Sequence, residues 1–248
     1  MAKVQLFVTC LVDTFYPEVG EAVVAILSRL GVTVEFPPAQ TCCGQPAFNA
    51  GLWHEARRMA AQLIRAFESP PTAEGWNVVS PSGSCVHMIR HNYLELFKDD
   101  PVWLPRAQAL AARTYEFGEY LVNKLHVLEL GACWEGRLTY HPSCHLLRGL
   151  GSDGAARALL AAIKGAQVVE LPYAEECCGF GGIFSVVHPE LSREMLVRKI
   201  ENVEASGAAT LVVSDAGCLM HIAGGLRRQG KKPRVVHLAQ VLNNVKRD

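Results

Sequence analysis

Two pairs of adjacent cysteines are the residues of this sequence best suited to chemistry. Cys42 and Cys43 lie in TCCGQPA, and Cys177 and Cys178 lie in ECCGFGG. Neighbouring cysteines seldom form a disulfide with each other, because the small ring requires a strained peptide unit. Two thiols held side by side are instead suited to one shared metal centre, and the glycine after each pair lets the backbone approach that centre closely.

A single cysteine before each pair and another after it complete a repeated pattern. The upstream cysteine lies 32 positions before its pair in the first half of the chain and 33 in the second, and the downstream cysteine lies 42 and 40 positions after it. The eight cysteines of the pattern are Cys10, Cys42, Cys43, Cys85, Cys144, Cys177, Cys178 and Cys218. The agreement between the halves indicates an internal duplication.

Four converging thiolates in each half would form the usual ligand set of a [4Fe–4S] cluster or of a zinc ion, and the spacing leaves both open. Structural disulfides are not expected, because nine cysteines cannot all pair and a reducing compartment keeps thiols reduced. The ninth cysteine, Cys133, has no counterpart in the other half. It is predicted to fill an apolar position.

The composition is typical of a folded globular protein and excludes several functional classes. Half of the residues are hydrophobic, and 24 basic residues balance 24 acidic ones. This balance predicts no binding of nucleic acid. The N-terminus MAKVQLFVTC lacks the length and cleavage site of a signal peptide, and no apolar run reaches the roughly 18 residues of a membrane span. We therefore expect a cytoplasmic protein with no transmembrane segment.

Short apolar runs alternate with helical patterns in both halves of the chain. The predicted strands are 4–9, 32–36, 76–81, 113–117, 137–141, 166–171, 210–215 and 234–238. In the second half, helices are predicted at 155–164, 189–206 and 219–229. Such alternation implies parallel sheets with helices on both faces. The predicted fold class is α/β, with two duplicated Rossmann-like lobes, each a small mainly parallel sheet flanked by helices.

The repeat also predicts the domain boundaries. The first cysteine-rich domain is expected at 1–125 and the second at 137–248, joined by a linker at 126–136. About a dozen extra residues in the first half indicate an insertion within 92–112.

The predicted strands place the cysteines of each half at one edge of its sheet. In the first half Cys10 directly follows the first strand, Cys42 and Cys43 lie in the loop after the second, and Cys85 follows the third. Strand-to-helix loops of a parallel sheet emerge together at its carboxyl edge. Thiols that are far apart in sequence are thus predicted to converge.

The two motifs, C-x31-CCG-x40-C and C-x32-CCG-x38-C, resemble the cysteine-rich (CCG) domain family. That family includes iron–sulfur subunits of heterodisulfide reductase, of glycolate oxidase and of anaerobic glycerol-3-phosphate dehydrogenase. The resemblance covers nearly the whole chain. The segments FVTCLVDTFYPEVGEA, TCCGQPAFNAG, HPSCHLLRGL and ECCGFGGIFS are most similar to short members with two such domains, which take part in lactate utilization.

This resemblance implies an iron–sulfur subunit of a multi-subunit system that oxidises L-lactate to pyruvate. Electrons would pass through one or two clusters, [4Fe–4S] in type, held by the eight repeated cysteines. The implied partners are other iron–sulfur subunits, with which the small 2-hydroxy acid substrate would be shared. Larger relatives add ferredoxin-type C-x2-C-x2-C-x3-C runs, which this chain lacks. Two alternatives stay open: a thiol–disulfide reductase of the heterodisulfide type, and a zinc-binding assembly scaffold.

The chain departs from the fullest family motif at one position in each half. That motif ends in C-x-x-C and has five cysteines, whereas the fifth position here is Met88 in the first half and His221 in the second. Four thiols favour a conventional [4Fe–4S] cluster over the non-cubane clusters found in heterodisulfide reductase. They are also compatible with zinc in one lobe, held by four thiolates or by three thiolates and an imidazole.

Histidines near the second cysteine set are candidates for catalysis. The segment HPSCH places His141 and His145 on either side of Cys144. An imidazole has a pKa near neutrality, so it could accept the proton of a lactate hydroxyl group. His145 and His221 are the predicted catalytic residues, and the alternative is that such a histidine caps the helix that follows.

Two aspartates near the cysteine motifs are predicted to cap helices rather than to bind a cation. Asp13 precedes a helix that starts with proline, and Asp215 lies at the end of a strand next to Gly217.

Overall fold

The computed structural model describes residues 2–68 and 75–245 of the chain. The chain divides into two compact units, Met1–Phe117 and Gly118–Asp248, which are called the first and the second unit below. The first unit ends shortly before residue 125, where the first domain is predicted to end, and the predicted linker at 126–136 lies in the second unit.

The first unit contains, in its described residues, a four-stranded parallel sheet with the strand order β2–β1–β3–β4. Its strands are β1 (Lys3–Leu6), β2 (Thr33–Glu35), β3 (Asn77–Ser80) and β4 (Thr114–Glu116). The central strands are almost completely buried because helices cover both faces of the sheet.

Helices connect these strands on both sides of the sheet. They are α1 (Cys10–Phe15), α2 (Pro17–Arg29), α3 (Gln45–Asn49), α4 (Trp53–Glu68), α5 (Gly83–His87), α6 (Tyr93–Leu96) and α7 (Trp103–Ala112), with a π-helical turn at Met88–Asn92. Proline stands in the first turn of α2, where its fixed φ already suits the helical backbone. The predicted insertion at 92–112 contains α6 and α7.

The second unit repeats this architecture. Its four-stranded parallel sheet, again counted over the described residues, has the order β6–β5–β7–β8. Its strands are β5 (Cys133–His141), β6 (Lys164–Val169), β7 (Thr210–Val213) and β8 (Arg234–His237). In both units the first strand lies between the second and the third, so the two sheets have the same topology.

The helices of the second unit also follow the pattern of the first. They are α9 (Asp153–Ala161), α10 (Phe184–Val187), α11 (Pro189–Ala205), α12 (Ala216–Arg228) and α13 (Leu238–Leu242), with a π-helical turn at His145–Leu150. A short helix, α8 (Phe117–Glu119), and a π-helical turn at Tyr120–Lys124 follow β4. The structure confirms the predicted α/β class with two duplicated Rossmann-like lobes.

The two capping predictions have different outcomes. The carboxylate of Asp215 accepts a hydrogen bond of 3.0 Å from the backbone N–H of Gly217 and caps α12, as predicted. The prediction for Asp13 is wrong: this residue lies inside α1, and Tyr16 occupies the N-cap of α2 without a side-chain hydrogen bond. The chain turns into a helix directly at Cys10, earlier than the apolar pattern indicates.

The described part of the chain contains no helix with the length and apolar composition needed to span a lipid bilayer. Its helices instead bury one apolar face against a sheet. In α4, for example, Ala60, Leu63, Ile64 and Phe67 are buried, spaced three or four residues apart.

The Phe67 side chain tests how far the first sheet depends on this packing. Its ring is fully buried and meets the ring of Phe7 edge to face, with centroids 5.6 Å apart. Phe67→Ala should lower the free energy of unfolding by about 3–5 kcal/mol through lost burial and a new cavity. The matched control is Phe15→Ala, because Phe15 is 57% exposed and should change stability by about 0.5 kcal/mol or less. Urea unfolding measures both, and equal effects would contradict the assigned core.

Candidate metal centres

The first unit brings its four repeated cysteines together at the carboxyl edge of the sheet. The Sγ atoms of Cys10 and Cys42 lie 3.6 Å apart, and those of Cys43 and Cys85 lie 3.5 Å apart. These separations are far longer than a disulfide bond of about 2.05 Å. All four thiols are free.

Two polar side chains hold the loop that carries the cysteine pair of the first unit. The side-chain oxygen of Gln40 accepts from the backbone N–H of Val8 (3.0 Å), and its amide nitrogen donates to the carbonyl of Leu6 (3.1 Å), which fixes the loop to the end of β1. Tyr93 donates from its buried hydroxyl group to the carbonyl of Cys43 at 2.9 Å. The predicted insertion, which contains Tyr93, therefore supports this cysteine loop.

The second unit gathers its cysteines in the same way. The Sγ atoms of Cys144 and Cys177 lie 4.0 Å apart, and those of Cys178 and Cys218 lie 3.5 Å apart. Lys199 is fully buried on α11 and donates to the carbonyl of Tyr173 at 2.9 Å, which holds the segment leading to the cysteine pair.

The glycine after each cysteine pair has a backbone conformation that other residues rarely adopt. Gly44 has φ 86° and Gly179 has φ 91°. A Cβ atom at Gly179 would lie 2.6 Å from the carbonyl oxygen of Ser192 and 2.9 Å from the Cβ of Met195. The backbone N–H of Gly179 points back to the Sγ of Cys177 at 3.4 Å. The glycine thus makes room for the helix and places an amide donor beside a sulfur.

Hydrogen bonds among the thiols concentrate negative charge on the first cysteine of each pair. Cys42 accepts from Cys10 and Cys43, which lowers the pKa of Cys42 to about 3 despite its partial burial. Cys177 accepts from the corresponding neighbours, which lowers its pKa to about 2. The pKa of Cys10 is raised, chiefly by the hydrogen bond to Cys42 and then by burial. A cation bound among these sulfurs would stabilise all of them as thiolates.

Each set has a buried inner pair and a more accessible outer pair. Cys43 and Cys85 are buried, as are Cys178 and Cys218, and these form the inner pairs. The outer pairs are Cys10 with Cys42, beside a cleft, and Cys144 with Cys177. Free thiols from four chain positions, an amide donor and close backbone approach fit a metal ion or an iron–sulfur cluster.

The structure places one predicted catalytic histidine, His145, beside the second set, and the other, His221, beside Ser192 of α11. The Nδ1 of His145 lies 3.8 Å from the Sγ of Cys144, at the outer pair. The Nε2 of His221 lies 3.4 Å from the hydroxyl oxygen of Ser192, and burial lowers the pKa of His221. Both stay predictions as catalytic residues.

One residue beside the second set was missed as a candidate ligand. A ring nitrogen of His141 lies within 4.8 Å of the Sγ atoms of Cys178 and Cys218. Sequence reasoning placed His141 near the set but favoured its neighbours, because HPSCH gives no indication of which histidine points inward. The available signal was the position of His141 at the carboxyl end of β5, where the last four residues of the strand are buried.

The remaining positions singled out by sequence lie away from the thiol sets or in the core. Met88, at the fifth motif position of the first unit, is fully buried and accepts a hydrogen bond from the side-chain amide of Asn92 at 3.4 Å. Cys133 begins β5, is half-buried, and has its Sγ 3.7 Å from the carbonyl oxygen of Gly131. Among the described residues, Cys133 makes no contact with another cysteine.

Two converging sets of four cysteines on duplicated sheets define a class of protein. The profile of the cysteine-rich domain family (CCG) matches residues 4–90 and 138–223. These ranges contain all eight repeated cysteines and most of each sheet. The chain belongs to the cysteine-rich (CCG) domain family.

Within this family, the chain is similar over nearly its whole length to proteins named lactate utilization protein A. The chain is 48% identical over 241 residues to lactate utilization protein A of Oceanobacillus iheyensis, covering 97% of this chain and 96% of that protein. It is 49% identical over 242 residues to lactate utilization protein A of Geobacillus thermodenitrificans, covering 98% and 99% respectively.

A solved structure with low sequence identity shares the fold. It is the crystal structure of a hypothetical protein from Helicobacter pylori, with a TM-score of 0.66 and 11% identity. The match covers 99% of this chain and 49% of that protein, so the chain spans about half the length of the solved structure. At this identity the likeness concerns the fold alone.

The loop glycines test how closely the second cysteine pair is packed. Gly179→Ala should destabilise the protein by about 1–2 kcal/mol through its left-handed backbone and by a further 1–3 kcal/mol, roughly, through the clash with α11. The control is Gly182→Ala, which has φ 62° but no atom within 4 Å of the added Cβ. Only the backbone cost applies there. Urea unfolding of the metal-free variants measures the difference, and equal losses would contradict the close packing against Ser192.

Proposed function

We propose that the chain binds iron–sulfur clusters through its two cysteine sets and serves as an electron-transfer subunit in the oxidation of lactate to pyruvate. The observation that carries this proposal is the convergence of four free thiols in each unit, with sulfur–sulfur contacts of 3.5–4.0 Å. The high identity to proteins named lactate utilization protein A supports the substrate. Membership of the CCG family supports the cysteines as ligands.

The ligands would be Cys10, Cys42, Cys43 and Cys85 in the first unit and Cys144, Cys177, Cys178 and Cys218 in the second. A [4Fe–4S] cluster at either set would accept and release one electron at a time. The inner cysteines anchor the site in a low-dielectric core, whereas the outer cysteines leave one side accessible. We propose that electrons enter and leave at this outer side, which other iron–sulfur subunits of the system could approach.

The oxidation of lactate breaks one O–H and one C–H bond, forms a C=O bond, and releases two electrons and two protons. A base near the hydroxyl group is needed to take the first proton. We propose His145 for this role, with His221 as the second candidate, because His145 lies at the outer pair. The Nε2 of His221 is hydrogen-bonded to the hydroxyl group of Ser192, and its ring lies against the ring of Phe180, with centroids 5.8 Å apart.

Cysteine substitutions test the ligand sets one unit at a time. Cys42→Ser and Cys85→Ser should each remove the iron bound by the first unit, and Cys177→Ser and Cys218→Ser that of the second, because a hydroxyl is a poor ligand for a cluster. Cys133→Ser is the control and should keep full iron. Iron, zinc and acid-labile sulfide are measured per chain on protein purified without oxygen. Equal iron contents in all five variants would overturn the assignment, and zinc without sulfide would favour the assembly scaffold.

The lactate role requires the other subunits, so it is tested in the complex. The wild-type chain co-purified with its partners should show cluster reduction when L-lactate is added, followed by absorption and electron paramagnetic resonance. The Cys177→Ser complex should lose the signal of the second unit. Reduction by a dithiol but not by lactate would instead support the disulfide-reductase alternative.

A further inference from the structure

His141 is a buried histidine whose ring nitrogens make no hydrogen bond of normal geometry among the described residues, although the backbone of Ala174 lies close to the ring. The residue is 1% exposed, and neither Nδ1 nor Nε2 makes a hydrogen bond of normal geometry within the described part of the chain. Burying such polar atoms without a partner costs free energy, so most native proteins avoid it. A buried imidazole without a hydrogen bond of normal geometry therefore indicates a role that the protein's own donors and acceptors do not fill.

The surroundings of His141 show what that role could be. One ring nitrogen lies within 4.8 Å of the Sγ atoms of Cys178 and Cys218, which are themselves 3.5 Å apart. These two cysteines form the buried inner pair of the second set. Imidazole nitrogen and thiolate sulfur are the two donors that zinc and iron accept together in protein sites.

The first unit has an apolar residue at the equivalent position. Cys10 and Cys144 are 134 positions apart, and the same offset relates Phe7 to His141. Both residues lie at the carboxyl end of the central strand of their sheet, β1 or β5. Duplication thus preserved the thiols while the buried position beside them became polar in one unit and apolar in the other.

A second buried position is also apolar in the first unit and polar in the second. Gly44 packs against Met59, and Gly179 packs against Met195. The two methionines are equivalent by this contact and are 136 positions apart in the sequence. The same offset relates Leu63, in the core of the first unit, to the fully buried Lys199. The second thiol set therefore lies in a polar environment that the first set lacks at these two positions.

We propose that His141 is a ligand of the metal group in the second unit, which then binds through nitrogen as well as sulfur, whereas the first unit binds through sulfur alone. The inference rests on the proposed function, because it concerns the group that the second cysteine set holds. It makes the two units chemically different, because the second unit offers a neutral nitrogen donor beside its four thiols. Where this imidazole takes the place of one thiolate on an iron–sulfur cluster, the cluster carries less negative charge and its reduction potential is higher.

The test is carried out on the full-length chain with Cys42→Ser and Cys43→Ser, so that only the second unit binds metal. This background is compared with the same chain carrying His141→Phe, the residue of the first unit at this position. Protein labelled with 15N-histidine is purified without oxygen. Pulsed electron paramagnetic resonance of the reduced protein detects nitrogen bound to iron, and X-ray absorption at the zinc edge detects imidazole bound to zinc.

The nitrogen signature should be present in the background chain and absent after His141→Phe. Metal retention against a competing chelator should fall by about tenfold or more, since even the loss of a group behind a ligand costs about 10–100-fold. The rival histidines serve as controls, and His145→Phe and His221→Phe should both keep the signature. Loss of the signature in either of those variants, with retention in His141→Phe, would overturn the proposal.

A stability measurement separates ligation from a structural role. In the metal-free state, His141→Phe should melt at or above the temperature of the background chain, because a buried polar ring without a hydrogen bond of normal geometry is replaced by an apolar one. In the metal-bound state the variant should lose the added stabilisation. Melting well below the background without metal would assign His141 to folding instead. Bound metal without any nitrogen signature would contradict this inference alone, and the absence of metal from the second unit would contradict the proposed function as well.

Discussion

The crowding of four sulfur atoms at the edge of each sheet is the constraint on which the rest of each unit depends. Thiolates at separations of 3.5–4.0 Å repel one another strongly inside a protein, where the effective dielectric constant is far below that of water. Either protons or a cation must neutralise them. The fold has to hold the sulfurs together against this repulsion, and each cysteine loop is tied down for that purpose.

The two units meet this constraint with different contacts. In the first, Gln40 joins the loop to the end of β1 and Tyr93 holds the cysteine pair from the inserted segment. In the second, the buried ammonium of Lys199 holds the corresponding segment. A buried charge is costly unless it is paired or hydrogen-bonded. Burial lowers the pKa of Lys199, and the negative charges of Glu176 and then of Cys178 oppose this effect. Thiolates at the second set would therefore supply part of the opposite charge.

Burial also makes the two sides of each cysteine set different. The inner pair lies in the core, where water is excluded and the sulfurs are fixed by packing, and the outer pair is half-buried or, at Cys10, exposed. Backbone strain is found at this outer side: Thr9, directly before Cys10, is a β-branched residue with φ 76°. A group bound between the two pairs would be anchored on one side and accessible to a partner on the other.

Much of the candidate site could be predicted from the sequence because cysteine spacing survives duplication. The repeated positions of Cys10 and Cys144, and of the pairs downstream, predicted the duplication. The alternation of strand and helix patterns predicted the two parallel sheets, and the two together predicted the convergence of the thiols. The distances agree with that convergence, although the role of the sulfurs as ligands is still a proposal. The error at Asp13 arose because a polar residue before proline resembles a helix cap, whereas α1 begins at Cys10 itself.

The sequence by itself determined the fold class, the duplication and the eight thiols, because strand periodicity and cysteine spacing are local or repeated features of the chain. Only the tertiary structure decided which histidine faces the inner sulfurs and that Lys199 is buried. Orientation and burial depend on residues from distant segments, here β5, α11 and α12, that meet only after folding. A sequence of neighbours such as HPSCH contains the candidates, but the packing of the sheet selects among them.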